Sequence, residues 1–403
     1  MSTDASAGKT TMKPSASALA VFASAALWAC FLVTPRADAA DLAMTPVIGD
    51  VLWIPRVANG SDDQRHLVYE LLLANPTPAA IELARIDVID QRSGKTLLEI
   101  GAADIGKRFS IGGRRGAEAT SLSMGQFGVL FVHVPVAAGA NMPAAIAHRV
   151  TGVLRPDRAF TVTTAETPVI DGKPIVLGPP LVGTGYLAGD GCCDTIRHVR
   201  ALLPLNGRFA LTQRFAIDWE QVDGENRLGK GDLTKVESFT IFGKEVIAVA
   251  DGTVIATRND LPEQVPGKLP ANISIDQADG NFVVLDIGGG AFALYAHMQP
   301  GSVRVVAGAK VKRGDMLGKV GNTGNTSAPH LHFHVMDGPS PLTSNGIPYV
   351  IDRFTIRAID KAGTADFDKA EATGSPLTLT TLNPPLDKRN VLPMDLTVVD
   401  FSR

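Results

Sequence analysis

The sequence predicts an all-β chain: an N-terminal immunoglobulin-like sandwich, then a second domain built on an antiparallel sheet. Three observations carry this expectation. Apolar and polar residues alternate with a period of two in many short runs, as half-buried strands do. Turn-forming Gly, Pro and Asn separate those runs. Forty Gly and 26 Pro stand against 6% aromatic residues, a turn-rich composition. The 403 residues, 45% hydrophobic and 20% charged, suffice for two cores or more. A net charge of −3 gives no global basic surface, so no nucleic-acid partner is expected.

Residues 1–39 read as an export signal. Lys9 and Lys13 precede an apolar run from Ala16 to Val33, and Ala37-Asp38-Ala39 supplies small residues for cleavage after Ala39. Export to the periplasm, cell envelope or medium is therefore expected, with membrane attachment only through an uncleaved signal. Cleavage removes Cys30 and leaves Cys192 and Cys193 as the remaining cysteines. Being adjacent, they form a vicinal disulfide, stay reduced or bind metal.

Residues 40–155 carry the sandwich expectation. The runs at 66–73, 81–90 and 128–134 are strand candidates separated by Asn75-Pro76-Thr77-Pro78 and Gln91-Arg92-Ser93-Gly94. His66, His133 and His148 read there as isolated structural histidines. Residues 156–200 read as a linker, broken by Pro168, Pro174, Pro179 and Pro180 and loosened by Gly183, Gly185, Gly189 and Gly191, with His198 and the cysteines at its end.

Residues 201–351 hold the chemistry. Leu211 to Trp219 reads as a strand whose polar face carries Arg214, Ala216 and Asp218. A tight Asp251-Gly252 turn and the Gly288-Gly289-Gly290 hairpin follow. His330, His332 and His334 then alternate with Leu331, Phe333 and Val335, placing three of the eight histidines on one strand face. Neighbours on that face stand roughly 6.5 Å apart, so one imidazole can hold a metal while the next reaches its water. Residues 352–403 read as an extended C-terminal strap.

Gly321-Asn322-Thr323-Gly324, Pro329-His330-Leu331-His332-Phe333 and Tyr295-Ala296-His297 together resemble the LytM/lysostaphin-type zinc peptidases of metallopeptidase family twenty-three, which cut peptidoglycan cross-bridges. The resemblance covers about residues 205–340. It implies a LytM-type antiparallel sheet and a Zn2+ cofactor held by Asp218 and His332. It further implies His297 and His330 as catalytic groups, Tyr295 at the substrate and peptidoglycan peptides as partners. One position departs. The family has a ligand His four residues before the Asp, where this chain has Arg214, and a guanidinium has no lone pair to give. Arg214 is expected to pair with Asp218 or hold a substrate carboxylate, and Arg214→His to tighten zinc binding. His198, Cys193 or His334 is left to supply a third ligand, or His334 to orient one. A second reading is a catalytically degenerate domain that binds peptidoglycan or regulates another cell-wall hydrolase. A third places the function in the sandwich alone.

Overall fold

Strand Gln64–Ala74 is buried on both faces, and that double burial organises the chain. Its odd positions, Leu67, Tyr69, Leu71 and Leu73, enter the core of a two-sheet sandwich. Its even positions, His66, Val68 and Glu70, face the second domain. The paired strand Phe127–Ala137 divides in the same way. Leu130, Val132 and Val134 fill the sandwich core, whereas Val129 and Phe131 pack with Ala201, Leu202 and Leu211 of the second domain. Residues 44–112 and 119–402 are described by this computed structural model. The export signal expected in residues 1–39 lies outside them.

The sandwich has two five-stranded sheets. One contains Gln64–Ala74 and Phe127–Ala137; the other contains Ile81–Asp90, Ala145–Leu154 and Arg158–Pro168. The protein is thus nearly all β with antiparallel sheets, as the alternating pattern predicts. Among the described residues no helix is long and apolar enough to cross a membrane.

Ten further strands form one antiparallel sheet. At its centre the histidine strand Leu331–Met336 lies between Ala291–Met298 and Ile217–Gln221. Leu331, Phe333 and Val335 join Tyr295 and Trp219 in the main core. Thr45–Arg403 is one compact unit, and two expected boundaries fail inside it. Residues 156–200 are no linker. Arg158–Pro168 completes a sandwich sheet, and Gly183–Gly189 is an inner strand of the ten-stranded sheet. The tail is no strap, since Phe354–Asp360, Leu379–Lys388 and Thr397–Phe401 extend that sheet. Both segments are Gly- or Pro-punctuated with weak alternation, so the partner strands supplied the ordering that local pattern did not.

Candidate active site

Register brings the site together. Asp218 pairs across the sheet with His332, Ala296 pairs with His332 from the other side, and Gly189 pairs with Asp218. Four neighbouring strands therefore meet at one level. Beyond Gly189 the chain turns into the short helix Ile196–Val199, which brings His198 over Asp218.

His332 Nδ1 lies 2.7 Å from Asp218 Oδ1, and His198 Nε2 lies 3.3 Å from Asp218 Oδ2. His198, Asp218 and His332 each offer a ligand atom, and these atoms lie within 4.8 Å of one another. The ring of His198 is already oriented, because its Nδ1–H donates to the Asp190 carbonyl at 2.8 Å and this turns Nε2 toward Asp218. The residues present therefore fit a zinc ion: two imidazoles and a carboxylate are a known catalytic donor set. Burial opposes charge on His198, but the Asp218 and Asp190 carboxylates outweigh it and push its pKa up to about 9. Burial would likewise raise Asp218, yet His198, His330 and His332 hold it well below the usual carboxylate range.

His330 and His297 stand beside this set. His330 Nδ1–H donates to the Ala328 carbonyl at 2.8 Å, and its Nε2 lies 3.4 Å from Asp218 Oδ1. His297 Nδ1–H donates to the Thr323 carbonyl at 2.7 Å. The Gly321-Asn322-Thr323-Gly324 motif positions that carbonyl. Gly324, at φ +88°, lies so close to Gly280 that a Cβ would come 2.3 Å from the Gly280 nitrogen. Thr323 Oγ1 accepts from the Asn281 N–H at 2.8 Å and donates to the Met298 carbonyl at 2.9 Å. Burial, then the neighbouring His330 and His332, hold the His297 pKa well below its ordinary value, so this ring is neutral.

Backbone strain also sets His297. In a regular strand it would share the core-facing side of Tyr295, which pairs with Phe333. His297 instead has φ +59°, and this break in alternation turns it toward the imidazole face. Tyr295 stays behind and corrects the expectation of a substrate contact. It is fully buried, and its hydroxyl accepts from the Val249 N–H at 2.8 Å.

Arg214 is corrected as well. Leu211 to Ala216 is not strand but a turn closed by the Ala216 N–H to the Gln213 carbonyl, so strand parity does not bind Arg214 to the face of Asp218. Its side chain runs to the sandwich. Nε and Nη2 donate to the two Glu70 oxygens at 2.9 and 2.7 Å, and Nη1 to Asn345 Oδ1 and the Gly346 carbonyl at 2.7 Å each. Its guanidinium also lies 5.2 Å from the Trp53 ring centre. It neither pairs with Asp218 nor lines the cleft.

Of the other candidates, Cys193 is bonded to Cys192 and sits in a separate cluster with His66 and His133. His334 does not reach Asp218; its Nδ1 lies 2.8 Å from His332 Nε2, so it orients that ring. Burial first, then His332 and His198, hold its pKa well below the usual value. We predict that His334→Ala weakens metal binding about 10–100-fold, the usual cost of losing a ligand's orienting partner. Isothermal titration with zinc measures this; unchanged affinity excludes the orienting role.

The site opens into a cleft of about 340 Å3. Asp190, Arg197, Glu220 and Glu371 line it, and sequence reading missed all four. Glu220 is buried, and burial followed by Glu371 and Asp218 raises its pKa well above the ordinary range. Glu371 comes from helix Thr364–Thr373, more than a hundred residues from Asp218 in sequence, so no local signal marks it. Leu269, from the proline-containing loop at 259–275, also lines the cleft.

Residues 236–344 match Peptidase family M23. This stretch is a LytM-type M23 peptidase domain. The matched segment contains His297, His330 and His332, whereas His198 and Asp218 precede it. Peptidoglycan DD-endopeptidase ShyA of Vibrio cholerae serotype O1 is 30% identical over 103 residues, which are 26% of this chain and 20% of ShyA. Endolysin 2638A of Staphylococcus phage 2638A is 34% identical over 80 residues, 19% of this chain and 16% of its own length. This chain thus spans a fifth or less of either relative. The catalytic domain of the antimicrobial peptidase lysostaphin from Staphylococcus simulans is 22% identical with a TM-score of 0.23, over 40% of this chain and 88% of that one.

Proposed function

We propose that this protein is an exported zinc metalloendopeptidase that cuts peptidoglycan cross-link peptides. The observation that carries the proposal is the convergence of His198, Asp218 and His332 beside His297 and His330 in an open cleft. The similarity of the M23 domain to a peptidoglycan endopeptidase supports the substrate class. His198, Asp218 and His332 would hold the zinc, which supplies Lewis acidity and makes water nucleophilic near neutral pH.

The chain's own groups handle the protons. His297 and His330 both commit Nδ1–H to a backbone carbonyl, so each neutral ring presents an Nε2 lone pair. Neither can donate into the cleft until it has accepted a proton. His330 is the more exposed of the two and lies beside the Asp218 carboxylate. It takes the proton from the attacking water and then, as a donor, returns it to the leaving amine. His297 stays neutral and holds the other side of the reacting centre.

We expect His330→Ala to retain stoichiometric zinc and lose about 10²–10⁴-fold in hydrolysis of purified cross-linked muropeptides. Metal analysis and chromatographic product assay read the two quantities separately. Full activity in His330→Ala rules out this assignment. The reading of a degenerate domain that binds peptidoglycan or regulates another hydrolase rests on Arg214 in place of a ligand. Wall binding without zinc or cleavage by the unmodified protein would favour it over ours.

A further inference from the structure

A second cluster of ligand-type side chains lies where the sandwich meets the second domain. His66 comes from strand Gln64–Ala74 and His133 from Phe127–Ala137, both on the faces turned away from the sandwich core. Cys193 comes from the segment that leads to His198. The three residues each offer a ligand atom, all within 4.8 Å of one another. His66 and Cys193 are buried, at 1% and 5% exposure.

The hydrogen bonds fix which ring nitrogens face inward. His66 Nε2 lies 3.1 Å from Asp62 Oδ1, and His133 Nδ1 lies 2.7 Å from Asp194 Oδ2. Carboxylates only accept, so those two nitrogens carry the hydrogens. The nitrogens left over, His66 Nδ1 and His133 Nε2, face each other at 2.9 Å. In neutral rings both would be lone pairs, and their repulsion is relieved only by a cation between them, a proton or a metal. Imidazoles oriented from behind by carboxylates are the usual support of a metal site. With Cys192 and Cys193 joined, no thiolate is available to complete it.

We propose that opening the Cys192–Cys193 disulfide creates a second metal site, formed by His66, His133 and the Cys193 thiolate. Its nitrogen and sulfur donors suit a borderline or soft transition cation such as Zn2+ or Cu+, and not Ca2+ or Mg2+. A dithiol supplies the two electrons. One of its thiolates attacks a cysteine sulfur, the second displaces the resulting mixed disulfide, and the reagent leaves as a cyclic disulfide. Both cysteines become thiols, and Cys193 loses its proton to solvent when the metal binds. The site joins the sandwich to the segment that carries His198, so its redox state bears on both domains.

The test reduces the purified protein with dithiothreitol, removes the reagent anaerobically and titrates with Co2+. The expected result is a thiolate-to-cobalt charge-transfer band in the near ultraviolet that the oxidised protein lacks. The His198, Asp218 and His332 centre has no sulfur and cannot give this band, so the readout is independent of the proposed peptidase activity. Cys192→Ser and Cys193→Ser lose the same disulfide. Cys192→Ser should show the band without any reductant and Cys193→Ser under neither condition, which separates ligation from any shared loss of folding. Absence of the band in the reduced protein, or equal bands in the two variants, overturns the proposal.

Discussion

Replacing His198 by Ala should strip the protein of its zinc and abolish peptide hydrolysis. A three-ligand site reduced to Asp218 and His332 loses the imidazole nearest Asp218 Oδ2, and affinity should fall by more than the roughly 10–100-fold that an orienting partner alone is worth. His332→Ala should do the same, because its Nδ1 occupies the other side of Asp218. The contrast with His330→Ala, which keeps the metal, separates ligands from proton carriers. Metal content after exhaustive dialysis, measured beside thermal unfolding, is the decisive experiment. Stoichiometric zinc in His198→Ala would mean that the third ligand comes from elsewhere and that the helix Ile196–Val199 only closes the cleft.

Arg214→Ala should be the most destabilising substitution at the boundary between the two domains, by about 3–5 kcal/mol, because it leaves a buried carboxylate uncompensated. Glu70 is fully buried and takes both of its charge-assisted hydrogen bonds from this one guanidinium. Arg214 is itself 4% exposed, and the Asn345 and Gly346 oxygens complete its donors. Replacing both partners, as Arg214→Met with Glu70→Met, should recover most of the loss, since an apolar pair of similar volume carries no unpaired charge. Urea denaturation of the single and double variants checks this through the coupling between them. A cost below about 1 kcal/mol for Arg214→Ala would place the pair among ordinary surface ion pairs and remove its structural role. Arg214→His follows the same logic. Its ring would leave Glu70 without its bidentate partner and gain no route to Asp218, so tighter zinc binding is not expected.

Strand chemistry was legible at the residue level wherever alternation was strong. His330 and His332 fall on one face because the side-chain period of a strand is two, and the structure keeps both at the cleft. Asp218 was legible as a candidate oxygen ligand on the polar face of a strand, and the structure places it at the cleft beside His332. The motif at 321–324 was visible as a motif, but its task of fixing a carbonyl for His297 was not. Tyr295 and Arg214 were misplaced for different reasons. Tyr295 was placed by resemblance alone, and the positive φ at His297 turns that ring to the cleft while Tyr295 stays in the core; for Arg214, strand parity was carried back into the turn before Ile217.

The sequence by itself determined the all-β class, the histidine strand and the similarity to M23 peptidases. Those features rest on side-chain chemistry and short-range periodicity, which a linear chain displays. Only the tertiary structure decided that His198 faces Asp218, that Arg214 belongs to Glu70, and that His66, His133 and Cys193 meet. Each of these pairings joins residues far apart in sequence, brought together by strand register across the sheet and by burial of one sandwich face. Neither leaves a local trace, because a buried charge is neutralised by whichever group the fold presents to it.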